Sequence, residues 1–114
     1  MSMAALTASE QVEARLWDAL RQVEDPEIPV SVVGMGLIVS LAYRPDDRRA
    51  ALEITFTAMG CPAMEFIEQD IREALLRDPD VETVEIEIVW DPVWTKDRIR
   101  ADAREKMRRL GIAV

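Results

Sequence analysis

The sequence predicts an α+β fold. It is a small single-domain sandwich in the order helix, β-hairpin, helix, strand, helix, with a three- to four-stranded mixed sheet covered mainly on one face. Three observations carry this prediction. Apolar residues recur at helical spacing in three stretches, at Val12, Leu16 and Leu20, at Ile67, Ile71 and Leu75, and at Ile99, Ala103 and Met107. They alternate with polar residues in three others, led by Leu41 and Tyr43, Leu52 and Ile54, and Ile86 and Ile88. The chain has 114 residues, 49% of them hydrophobic, which is the size and composition of one ordinary domain with a packed core.

In chain order, residues 1–8 read as a loose start and 9–114 as one domain. Thr7 and Glu10 have the spacing of a capping box, with Thr7 as N-cap. An amphipathic helix follows over 9–23, its other faces carrying Glu13, Arg15, Asp18 and Arg21. Pro26 and Pro29 then fix a turn-like path that presents Asp25 and Glu27 close together. Residues 30–33 read as a short strand broken by Gly34 and Gly36. Residues 37–43 read as a fuller strand, with Leu37, Val39, Leu41 and Tyr43 on one face. The polar turn 44–49 joins it to a strand over 51–58, with Leu52, Ile54, Phe56 and Ala58 facing inward, as an antiparallel hairpin.

The turn Gly60-Cys61-Pro62 leads into a second helix, to about Arg77, stopped by Asp78-Pro79-Asp80. Residues 84–90 alternate as a strand with one buried face, and the strand–helix–strand unit puts the helix over that apolar face. Thr95 is placed to cap a last helix with Asp97 in its first turn. Ile99, Ala103, Met107 and Leu110 form its stripe, and Gly111 and Ile112 close it in a Schellman ending. In this layout the Asp25–Glu27 loop, the Cys61 turn and the 90–94 turn are expected to meet at one end of the sheet.

Composition excludes several classes of function. A net charge of −8, with an isoelectric point near 4.5, argues against nucleic acid as the main partner, because phosphate binding needs a basic face. There is no histidine, so there is no Ser-His-Asp or Cys-His catalytic arrangement and no histidine metal site. The single cysteine allows no internal disulfide and suits a reducing cytoplasm. Residues 1–8 lack the charged start and apolar run of a secretory signal, and no apolar stretch approaches the roughly 20 residues that span a membrane.

The chemistry-bearing position is Cys61. Proline is favoured at the first helical position, so Pro62 is expected to open the second helix, with Cys61 as its N-cap or next to it. There the helix dipole and unpaired N–H groups favour the thiolate, the form that attacks electrophiles and binds soft metals. The alternative is a buried cysteine acting as a small hydrophobe in a turn. Asp25 and Glu27 read equally as a solvated acidic loop. Met35, Met59 and Met64 read as core or as a soft partner surface. Trp90 reads as core and Trp94 as the better interface residue.

Four motifs combine in order: Asp25-Pro26-Glu27-Ile28-Pro29, then 32–38 with its Gly34-Met35-Gly36-Leu37, then 57–64 with Gly60-Cys61-Pro62-Ala63, then Trp90-Asp91-Pro92-Val93-Trp94-Thr95. Together they resemble the PaaD/SufT-like family of metal–sulfur cluster assembly factors over nearly the whole chain. The Cys-Pro-Ala-Met turn and the ending at 104–112 look closest to the PaaD branch, which accompanies phenylacetyl-CoA oxygenase systems in phenylacetate degradation. The resemblance implies a compact fold, a non-enzymatic role in maturing iron–sulfur or other iron proteins, and functional candidates at Asp25, Glu27, Leu37, Thr57 and Cys61. Two departures stand out. Gly34 occupies the place of an acidic residue in the family's Asp-Leu-Gly-Leu, and Ala58 the place of a Thr or Tyr.

The sequence therefore predicts a factor that transiently handles an iron–sulfur cluster or iron through Cys61 and delivers it to client proteins, among them a multicomponent oxygenase. Thr57 would donate a hydrogen bond to the sulfur, and Asp25 or Glu27 would act as a hard, weak ligand. One cysteine is fewer than the four protein ligands a cluster takes, so a homodimer bridging the cargo is an attractive expectation. The alternative is a metal-free docking module for an oxygenase or assembly scaffold, with Trp94, Val93 and Leu37 as contact residues. A cysteine-dependent enzyme is the third reading, and it lacks a histidine base.

Overall fold

The computed structural model describes residues 7–24, 29–56 and 63–112. Helix α1 runs Ala8–Leu20. The capping box is present: the Glu10 N–H donates to Thr7 Oγ1 at 3.1 Å, and the Thr7 N–H donates to Glu10 Oε1 at 3.1 Å. The Thr7 N–H, and then its hydroxyl, hold the Glu10 carboxyl below its ordinary pKa. The helix stops before Val23 because the last turn tightens. The Gln22 and Val23 N–H groups bond to Ala19 O and Leu20 O, three residues back.

The sheet has three strands: β1 (Ile38–Arg44), β2 (Arg49–Ile54) and β3 (Thr83–Ile88), in spatial order β1-β2-β3. The β1–β2 hairpin is antiparallel and β3 lies parallel to β2, reached through helix α2 (Ala63–Leu76). Register places Leu41, Leu52 and Ile86 in one row and Ile38, Ile54 and Ile88 in another, all on the helix-covered face. Val12, Leu16 and Leu20 of α1 and Ile67, Ile71 and Leu75 of α2 join Ala50, Leu52 and Ile54 in a single buried cluster. Each such aliphatic side chain contributes about 1.5–3 kcal/mol. The other face carries Ser40, Ala42, Ala51, Glu53, Glu85 and Glu87, and among the described residues no helix packs on it. Helix side chains reach the two sheet edges. Glu13 accepts the Tyr43 N–H at 2.9 Å beside β1, and Arg72 donates to Val84 O at 2.6 Å beside β3.

Three expectations are corrected. Residues 30–33 do not form a strand. Ser31 makes an isolated bridge with Glu24, and 32–36 is a turn in which Met35 N–H bonds to Ser31 O and Gly36 N–H to Val33 O. Its valines fill the core from that turn. In β1, the simple alternation from Leu37 fails because the register shifts between Ile38 and Ser40. The bulge puts Ile38 inward, 8% exposed, and leaves Val39 half-buried. The last helix is split. A short 3₁₀ turn, Lys96–Arg98, is separated from α3 (Ala101–Arg109) by extended residues Ile99 and Arg100. A tertiary bond competes with the helix there: the Arg100 N–H donates to Gly34 O at 2.9 Å while Ile99 is buried. Thr95 makes no side-chain cap bond, and Leu110 is exposed. The ending is as expected, with Gly111 at φ +81° and its Schellman bonds to Arg108 O and from Ile112 N–H to Met107 O.

Candidate functional site

Because β2 and β3 are parallel, their carboxyl ends, Ile54 and Ile88, lie side by side, and the start of β1 at Ile38 flanks Ile54. The segments leading to 57–62 and through 89–95 therefore leave the sheet at one end. A lateral series of backbone bonds extends that end. Thr55 N–H donates to Leu37 O at 2.8 Å, Leu37 N–H to Val32 O at 3.0 Å, and Val32 N–H to Val23 O at 2.8 Å. The strand that precedes residues 57–62 is thus tied, through Leu37, to the segment that precedes residues 25–28.

Cys61, Thr57, Asp25 and Glu27 lie outside the described residues, as do Met59 and Ala58. Of the described candidates, Leu37 is 2% exposed and its side chain is committed to the core. The two tryptophans differ from expectation. Trp94 packs against the core, and its indole N–H donates to Met35 O at 2.7 Å, which anchors the 90–95 turn to the start of β1. Trp90 is the more open of the pair at 39%, and Val93 is 73% exposed. Burying an indole requires a partner for its N–H, and only the fold shows that Met35 O supplies one. Met35 is buried and Met64 packs against the core, as core methionines do.

Two features of this end were not read from the sequence. The Thr55 hydroxyl is fully buried and has no hydrogen-bond partner among the described residues. It stands two positions before Thr57, between inward-facing Ile54 and Phe56. The signal available was a hydroxyl in a strand whose neighbours on both sides are strongly apolar. The second is Gly36. Its φ is +73°, and a Cβ there would lie 2.2 Å from Arg98 O, so the 96–98 turn rests on its bare backbone. Arg98 Nε donates in return to Gly36 O at 2.8 Å. Among the described residues, no group of three or more Cys, Asp or Glu side chains could hold a metal ion.

Residues 13–88, which run from α1 to the end of β3, match the family described as iron-sulfur cluster assembly protein. The chain belongs to this family. Within it, the chain is 35% identical over 95 residues to the Fe-S protein maturation auxiliary factor YitW of Bacillus subtilis, covering 83% of this chain and 92% of that protein. It is 34% identical over 114 residues to a putative 1,2-phenylacetyl-CoA epoxidase component of Escherichia coli, covering 99% of this chain and 67% of that one. A crystal structure from Bacillus anthracis, of a domain of unknown function, superposes with a TM-score of 0.81 at 32% identity, covering 93% of this chain and 97% of the other. The PaaD/SufT-like assignment and the α+β architecture thus stand together.

Proposed function

We propose that this chain is a non-enzymatic iron–sulfur maturation factor that takes up a cluster or iron as cargo through Cys61 and passes it to client proteins in a reducing cytoplasm. The observation that carries this reading is the family match, which spans the strand ends on either side of the cysteine turn. The donor set suits cargo better than a resident group. With one cysteine and no histidine, the chain supplies one thiolate where a cluster takes four ligands. The remaining positions fall to a second copy, a client or a small thiol. An incomplete shell lets the cargo leave by ligand exchange. In this reading Thr57 donates to the sulfur, and Asp25 and Glu27 act as weak oxygen ligands. The E. coli relative's name supports an oxygenase among the clients.

Anaerobic reconstitution with iron and sulfide, wild type beside Cys61→Ser, tests this by visible absorbance and native mass. The expected outcome is a coloured, dimeric wild type and a colourless variant. A colourless, monomeric wild type would overturn cluster uptake by the chain alone. A metal-free docking role is the second reading. It is favoured by exposed Val93 and Trp90, two apolar side chains on the loop that leaves β3. In that case Cys61→Ser keeps client activation and Val93→Asp removes it.

A further inference from the structure

Beside the start of β1 lies a cavity of about 170 Å³, lined by Trp17, Val33, Gly36, Ile38, Arg98 and Arg100. We propose that it binds a small carboxylate with a short apolar body, held by the two guanidinium groups against the Trp17 wall.

Charge is the first argument. Acidic residues outnumber basic ones 22 to 14 in this chain. Among the described residues, six of the fourteen basic side chains, Arg15, Arg21, Arg48, Arg49, Lys106 and Arg109, pair with carboxylates. Among the described residues the lining holds two arginines and no carboxylate, and Arg98 and Arg100 are among the eight basic side chains that make no ion pair. Two like charges facing one concavity repel, and a bound anion removes that repulsion.

Backbone geometry is the second. Ile99 (φ −69°, ψ 127°) and Arg100 (φ −69°, ψ 154°) are extended, so side chains at 98 and 100 project to the same side. Ile99 points the other way, into the core, at 4% exposure. The Nε–H···O bond to Gly36 fixes the Arg98 side chain and leaves its terminal nitrogens for a ligand. Less side-chain freedom is then lost on binding.

Shape and lining set the ligand class. A planar carboxylate matches the guanidinium fork. The half-buried Trp17 indole offers an apolar wall that a hydrocarbon body covers and inorganic phosphate does not, while Val33 and Ile38 are themselves buried. The pocket is open to solvent on one side, and its volume of about 170 Å³ is filled by a body of a few carbons. The carboxylate titration reads the two guanidinium groups and the cluster reconstitution reads the Cys61 thiol, so the two proposals fail independently.

Titration of the full chain with butanoate, followed by ¹H–¹⁵N NMR at the Trp17 indole and Gly36 amide, tests the site. We expect saturable shifts with an apparent Kd of about 1–10 mM. Arg100→Gln is expected to weaken binding at least about tenfold, since an ionic hydrogen bond is lost. Arg108→Gln, on exposed α3 surface, leaves it unchanged. Arg100→Lys keeps the charge without the fork and gives an intermediate loss; it also reports on the site should Arg100→Gln fail to fold. Butanamide, the uncharged isostere, gives no saturable shift. Equal shifts with butanamide, no saturation with butanoate, or wild-type affinity in both Arg100 variants would overturn the proposal. Tighter binding of inorganic phosphate than of butanoate would overturn the carboxylate assignment.

Discussion

At the hairpin end of the sheet, Arg15 of α1 reaches Asp78 at 3.0 Å and Asp80 at 2.5 Å, and Arg48 reaches Glu82 at 2.9 Å. Arg49 spans Asp47 and Glu85, and the Tyr43 hydroxyl donates to Asp80 O at 2.6 Å. At the opposite end, the ordering contacts run to neutral backbone: Trp94 Nε1 to Met35 O, Arg98 Nε to Gly36 O, and Arg100 N to Gly34 O. The ion pairs of the first set depend on ionised carboxylates and respond to pH and salt, whereas its Tyr43 bond, like the second set, ends on a backbone carbonyl. The second depends on fit and tolerates almost no added volume. Among the described residues, five of the eight ion pairs gather at the hairpin end, and Lys106–Glu24 is the one beside the segment that leads to residues 25–28.

The largest break in this comparison comes at Gly36. Gly36→Ala forces a left-handed φ and a Cβ against Arg98 O, and its cost is expected to be about 3 kcal/mol or more in a urea titration. A loss below about 1 kcal/mol would show that the 96–98 turn is not seated as described. Trp94→Phe comes next. It keeps an aromatic ring and leaves Met35 O without its donor, for about 1–2 kcal/mol by the same measurement.

Asp78 tests the charged end. The hydrogen bond from Arg15 holds its carboxyl below the ordinary value, against a smaller opposing effect of burial. A carboxylate with a lowered folded-state pKa contributes stability above its unfolded value of about 3.9, and loses it as pH falls through the folded value. Wild type should therefore lose stability below about pH 4. Asp78→Asn should lose about 1 kcal/mol at neutral pH and show a flatter acid limb, since Arg15 is 47% exposed and screened. The smallest effect is a gain. Thr55→Val removes the unpartnered buried hydroxyl and should stabilise by up to about 1 kcal/mol. If that variant is more stable but handles cluster poorly in reconstitution, the hydroxyl serves cargo; if both improve or hold, it does not.

Elements whose identity rests on local periodicity were legible in the sequence. The α1 capping box, the hairpin, α2, β3 and the Gly111 ending all follow from spacing and cap chemistry. What escaped was decided by contacts distant in sequence. Arg100 breaks the last helix because Gly34 O, across the fold, takes its N–H. The β1 bulge is invisible to alternation because it falls in the apolar run Leu37-Ile38-Val39, where no polar residue marks the change of face. The tryptophans could not be ranked by exposure without knowing that Met35 O stands ready for one indole. Asp25, Glu27, Thr57 and Cys61 lie outside the described residues, and the sequence offers them as one set only through resemblance, since one thiol and two acids carry no spacing rule of their own.

The side chains at the sheet edges have a consequence for life in a crowded cell. A three-stranded sheet has two unpaired borders, each a template on which a stray extended chain can add itself. Here Glu13 occupies an outward amide of β1 and Arg72 an outward carbonyl of β3. A fourth strand would have to displace a charged group on either side before it could register. The same two helices that cover the core thereby discourage the sheet from growing. The sheet's borders are thereby closed to the backbone pairing that drives edge-to-edge aggregation.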